Sequence, residues 1–112
     1  MKRYSLTLDL KKDSDLIKQY EQMHKEVWPE IIRSIKESGI ETMEIYRYET
    51  RLFMIMDVND DFSFEKKNEM DKQNEKVRQR EKCFWEYQQP LPGSAEGEKW
   101  KLMHTIFELQ NF

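Results

Sequence analysis

Residues 13–39, DSDLIKQYEQMHKEVWPEIIRSIKESG, decide the fold, because they read as two helical runs divided by a proline. Asp13 is placed to cap the first run, since a short carboxylate accepts a hydrogen bond from a free backbone N–H of the first turn. Leu16, Tyr20, Met23, Val27 and Ile31 recur on a 3.6-residue period, with Trp28, Ile32 and Ile35 on the flank. Pro29 lacks an N–H and its ring collides with the carbonyl of Lys25, so the helix bends or breaks there. Gly39 marks the stop, because glycine enters the left-handed region without steric cost.

His24 lies on the apolar stripe one turn after Tyr20, so the two side chains share a face. Two readings stand. One is a satisfied core histidine beside a packing tyrosine. The other is a small polar site beside a helix break.

Working outward, residues 3–10 (RYSLTLDL) alternate, with Tyr4, Leu6, Leu8 and Leu10 on one face and Arg3, Ser5, Thr7 and Asp9 on the other. That is a strand with one buried face. Residues 41–48 form a second strand, with Met43, Ile45 and Arg47 on one side and Glu44, Tyr46 and Tyr48 on the other. Glu49 and Thr50 turn the chain into a third strand, 51–58, and the short connection makes an antiparallel hairpin. This third strand (RLFMIMDV) is nearly continuously apolar, as suits a strand covered on both faces.

Residues 59–61 offer a helix cap, and 62–87 read as a charged amphipathic helix interrupted near Asp71 or Asn74. Its thin apolar stripe is Phe62, Met70, Val77, Phe84 and Tyr87, with Trp85 outside it. Pro90 ends the helix, residues 90–98 form a loop, and Trp100–Leu109 read as the fourth strand with His104 in its middle. A strand histidine more often makes structural hydrogen bonds than does chemistry.

The order is β-α-β-β-α-β, an α+β ferredoxin-like sandwich in one domain spanning 1–112. Two helices cover one sheet face, and the third strand leaves apolar residues on the other. A second copy packed face to face covers them, giving a homodimer, a dimeric α+β barrel. The ligand pocket then lies between the sheet and its own helices or in the dimer interior.

Charge and composition narrow the function. There are 19 basic and 22 acidic residues, a net charge of -3, which gives no long-range pull toward nucleic acid or anionic membranes. No stretch approaches the roughly 20 apolar residues of a membrane span, and no apolar signal core opens the chain. With Cys83 the single cysteine, no internal disulfide forms, and a reducing, cytoplasmic setting is expected with Cys83 in a packing role. His24 and His104 stand alone, without metal-ligand spacing. Three glycines make no phosphate-cradling loop. What remains is His, Tyr and aromatic surface. That set suits proton transfer on an uncharged ligand, because imidazole both gives and takes a proton near neutrality.

The run YEQMHKEVWPEI resembles the signature of the L-rhamnose mutarotase family: Tyr20, three residues, His24, three residues, then Trp28-Pro29-Glu30. The similarity extends over nearly the whole chain, through YSLTLDL, EIYRYETRLFMIMDV, QQPLP and GEKW in matching order. The resemblance implies a dimeric ferredoxin-like fold that interconverts the α and β anomers of L-rhamnose or a related deoxy-sugar without metal or organic cofactor. It implies that His24 is the general acid and that Tyr20 contacts the sugar. Tyr46 and Trp85 are further candidates for substrate contact. The chain departs from the pattern at Met43, where well-known members carry a Tyr, and at Glu81 and Lys82, near a Trp-Trp pair of theirs. Those departures bear on sugar preference more than on chemistry. Two other classes are compatible with the elements: a cofactor-independent monooxygenase on the same fold, and a binding module that senses a small molecule without turnover.

Overall fold

The computed structural model describes residues 2–95 and 98–111. Its elements are β1 (Lys2–Leu10), α1 (Ser14–Met23), α2 (Pro29–Glu37), β2 (Ile40–Tyr48), β3 (Arg51–Val58), α3 (Phe64–Gln73), α4 (Glu75–Phe84), β4 (Gln88–Gln89) and β5 (Lys101–Leu102). A short 3₁₀ turn, Leu109–Asn111, follows. One antiparallel sheet has the order β2-β3-β1-β4, with β5 also on β1, and the helices lie on one face. This is the ferredoxin-like arrangement.

Local chemistry fixes the first half. Asp13 caps α1, its Oδ1 accepting from the N–H of Asp15 (3.0 Å) and of Leu16 (3.2 Å). Pro29 does not kink a continuous helix. It is the first residue of a new one, where its missing N–H removes nothing, and residues 24–28 are unwound. Gly39 sits at φ 101°, and a Cβ there would come within 2.7 Å of Asn59 Oδ1. Its carbonyl accepts from the Asn59 N–H at 2.9 Å, tying the end of α2 to the end of β3. The hairpin turn places Glu49 at φ 53°, costing about 1–2 kcal/mol for a residue with a Cβ. Arg47 Nη1 holds the Glu49 carbonyl at 2.7 Å.

The helix-facing sides of three strands meet in register. Leu6 faces Met54 and Leu8 faces Leu52 across β1 and β3; Met43 faces Met56 across β2 and β3. Leu8, Leu52 and Val58 are fully buried, each contributing about 1.5–3 kcal/mol. The opposite face has no helix. Phe53 and Ile55 are half-buried there, flanked by an Arg3–Asp57 ion pair (2.8 Å), with Thr42 also donating to Asp57 at 2.9 Å.

The interruption expected near Asp71 or Asn74 falls at Asn74, whose Oδ1 caps α4 by accepting from Lys76 (3.0 Å) and Val77 (3.3 Å). Several other expectations need correction. Ser63, and not a residue of 59–61, caps α3. Cys83 is exposed, because the inner side of α4 is taken by Val77, Arg80 and Phe84. The fourth strand is split. Gln88–Gln89 pair with Leu10 and Asp9, and Lys101–Leu102 pair with Thr7 and Leu6. The Met103 N–H still bonds the Ser5 carbonyl at 2.7 Å, but beyond it the chain leaves the sheet. His104 therefore lies exposed and outside any strand. Leu102, Met103, Ile106 and Leu109 are 55%, 42%, 91% and 72% exposed, so these apolar side chains find little cover among the described residues.

Candidate active site

An open cavity of about 1380 Å³ lies between the sheet and the helices. That exceeds the roughly 300–1,000 Å³ of common small-molecule pockets, so polar groups at fixed points, more than shape, must orient a small ligand.

The unwinding ahead of Pro29 makes His24 the C-cap of α1, still one turn after Tyr20. His24 Nδ1 lies 2.8 Å from the Tyr20 carbonyl oxygen. A carbonyl only accepts, so Nδ1 carries the proton, and in neutral imidazole Nε2 holds the free lone pair. Burial pushes the His24 pKa below its ordinary value of 6.5; the carbonyl bond opposes this and the charge of Arg80 adds to it. The resting ring is therefore neutral at pH 7, with a base at Nε2.

Tyr20 is buried, and its hydroxyl oxygen accepts from Gln88 Nε2 at 3.0 Å. That leaves the Tyr20 O–H proton free to donate. Burial raises the Tyr20 pKa, against weaker lowering by the Gln88 bond and by Arg80, so the phenol stays protonated. Gln88 is 3% exposed, and its Oε1 has no partner among the described residues.

Phe84 of α4 joins the two rings. It stacks on His24 (5.4 Å between centroids, 20° between planes) and tilts against Tyr20 at 5.0 Å. The Arg80 guanidinium lies 4.4 Å from the Phe84 centroid. Burial lowers the Arg80 pKa, but a guanidinium stays charged. At the mouth Lys99 lies 4.4 Å from the Trp85 ring and donates to the Glu81 carbonyl at 2.8 Å.

Of the residues singled out from sequence, His24 and Tyr20 are brought together, with ring centroids 4.6 Å apart. Trp85 lines the cavity, 37% exposed. Tyr46 borders it only at the β2 edge; its ring stands on the helix-free face, 6.5 Å from Phe53 and bonded to Glu44. Alternation explains this, since Met43 and Ile45 occupy the helix side. Sequence reasoning missed Arg80 and Gln88. For Arg80 a signal was present, since it stands one helical turn before Phe84 as Tyr20 stands before His24; Gln88 lies in β4, past the end of that helix, and carried none. Among the described residues, no three His, Cys, Asp or Glu side chains converge to hold a metal ion, and no helix is long and apolar enough to cross a membrane.

Comparison with known proteins gives a consistent set. Residues 3–109 match the sequence profile of L-rhamnose mutarotase. An L-fucose mutarotase of Xanthomonas campestris pv. campestris is 41% identical over 111 residues, covering 97% of this chain and 89% of that protein. The crystal structure of an L-rhamnose mutarotase from Formosa agariphila superposes with a TM-score of 0.72 at 19% identity, covering 97% of this chain and 99% of that one. A dimeric ferredoxin-like protein from an uncultured marine organism superposes at 0.52 with 15% identity, covering 95% of each chain. At those identities the superpositions establish the fold.

Proposed function

The chain belongs to the L-rhamnose mutarotase family, an isomerase family, and from that premise we propose that it interconverts the α and β anomers of a 6-deoxy-L-hexose, L-rhamnose or L-fucose. The observation that carries this reading is the pinned imidazole: Nδ1 held by the Tyr20 carbonyl, Nε2 free, in an aromatic-walled cavity. His24 Nε2 takes the proton from the anomeric O1–H. The C1–O5 bond breaks, C1=O1 forms, and the imidazolium returns the proton to O5. Rotation about C1–C2 and the reverse sequence close the ring on the other face. Tyr20 donates to a sugar oxygen and Trp85 supplies a wall. Each proton that leaves the sugar returns to it, so the residues present suffice without a cofactor.

The active unit in this reading is a cytoplasmic homodimer. The half-buried Phe53 and Ile55 on the helix-free face and the exposed apolar side chains from Leu102 to Leu109 support a second copy against that face. A structural neighbour described as dimeric agrees with it. Saturation-transfer NMR on L-rhamnose and L-fucose tests the reaction. Anomeric exchange accelerated by catalytic amounts of protein is expected for at least one. Exchange at the buffer rate for both overturns the proposal. Sedimentation at micromolar concentration tests the dimer, and a monomer there rules it out.

A further inference from the structure

Arg80 is a charge without a counter-charge. Arg3, Arg47 and Arg51 each hold a carboxylate, on Asp57, Glu21 and Asp9. Arg33 and Arg78 are exposed to water. Arg80 is half-buried in the cavity wall; its guanidinium lies over the Phe84 ring and, among the described residues, makes no hydrogen bond or ion pair. Partly desolvating five N–H donors without an acceptor is unfavourable. A protein keeps such a group where a ligand supplies the acceptor. The acidic side chains lining the cavity do not supply it: Glu21 is engaged by Arg47, Asp71 by Lys67 and Glu98 by Lys101, Glu41 is exposed on β2, and the charges acting on the Glu81 carboxyl are Asp71, Lys99 and Lys67.

Resting on the reaction above, we propose that Arg80 is a catalytic residue whose guanidinium contacts the anomeric oxygen O1 and stabilises the negative charge that develops there. The placement fits. Arg80 shares Phe84 with His24 and Tyr20, and its charge bears on both rings. As the O1 proton moves to His24 Nε2, negative charge grows on O1 and then passes to O5 as the C1–O5 bond breaks. Both oxygens are attached to C1, within reach of one planar fork. Arg80 keeps all its protons throughout; His24 alone carries the proton between the two oxygens. A cation already in place beside O1 acts on the charged transition state more than on the neutral sugar.

The test uses Arg80→Met, which keeps an apolar stem against Phe84 and removes the charge. The readouts are melting temperature and the kcat and KM of anomer exchange on whichever sugar the wild type accepts. A fall in kcat of about 100-fold with KM changed little is expected, the usual effect of removing one oxyanion donor. A kcat within about threefold of wild type, or a rise in KM alone, overturns the assignment. Should Arg80→Met fail to fold, Arg80→Lys carries the test. It keeps the charge without the fork, so about a tenfold loss in kcat is expected and an unchanged kcat refutes the role. Failure of the wild type to exchange either sugar refutes the reaction itself, a different result from active wild type with active Arg80→Met.

Discussion

The helix-covered face of the sheet has two ends built from the same strands and made for different ends. At one, Leu6, Ile40, Met54, Met56 and Val58 pack beneath Tyr4, Phe62 and Phe64, and the rings close edge to face, Phe62 to Phe64 at 5.1 Å. At the other, Leu10 and Leu52 lie beneath Tyr20, but the cover is Phe84 flanked by His24, Arg80 and Gln88. The strands contribute aliphatic floor to both. The difference comes from the helices. At the second end α1 and α4 each present a polar or titratable side chain one turn from an aromatic one. Packing is satisfied by the rings, and the polar atoms beside them are left for a ligand.

The contrast breaks most sharply at His24. Replacing it with Asn or Ala is expected to lower the catalysed exchange rate by about 10²–10⁴-fold while the fold survives, since the half-buried ring lines a cavity. Melting temperature and exchange rate on one preparation decide it. A strongly destabilised protein whose folded fraction exchanges at the wild-type rate would return His24 to the core. The mirror experiment is Val58→Ala at the first end, a side chain that is 2% exposed and lies outside the cavity lining. It should cost about 0.5–3 kcal/mol of stability by denaturant unfolding, with exchange per folded molecule unchanged. A parallel loss of turnover would mean that the two ends are not separable.

Tyr20→Phe sharpens the comparison, because it keeps the ring and removes the hydroxyl. It strands Gln88 Nε2, so a stability loss of ~1 kcal/mol is expected together with about a tenfold fall in kcat/KM. Wild-type kcat/KM would confine the tyrosine to packing. The pH profile gives a smaller effect. Burial depresses the His24 pKa in the folded state, so the acid limb of kcat/KM is expected below pH 6.5. The same sign makes protonation unfavourable to folding. The histidine's contribution holds above the unfolded value of 6.5 and is lost as pH falls through the depressed folded one. A limb above 6.5 would mean that burial is not the dominant influence. The smallest effect should come from His104→Ala, which alters an exposed residue outside the cavity; a rate within about twofold of wild type is expected.

What sequence revealed of all this follows the range of the interactions. The Asp13 cap, the break at Pro29, the Gly39 stop and the hairpin at Glu49–Thr50 are decided by neighbours, and each stands where its local chemistry puts it. Tyr20 and His24 were legible because one helical turn is enough to pair them. The split last strand was not, since alternation shows that residues are suited to a strand and says nothing about whether an edge is free. The outer edge of β1 is shared by two short partners. Gln88 was hidden for the same reason: its role depends on a contact with Tyr20 across 68 positions. Arg80 stood in a charge run that reads as solvated face, and only the packing of Phe84 turns it inward.

The unwound residues 24–28 also bear on how such a protein is re-engineered. By ending α1 at His24 and restarting at Pro29, the chain confines the pinned imidazole to one helix, while Arg80, Glu81, Phe84 and Trp85 sit on or at the end of another. The two sets touch only through side chains. Diversity introduced at 81 and 85 samples new cavity walls while Tyr20, the carbonyl that orients His24 and the helix carrying both stay as they are. For the proposed reaction, a search for a changed sugar preference belongs at 81 and 85, with Arg80 and α1 held constant as the parts assigned to the chemistry.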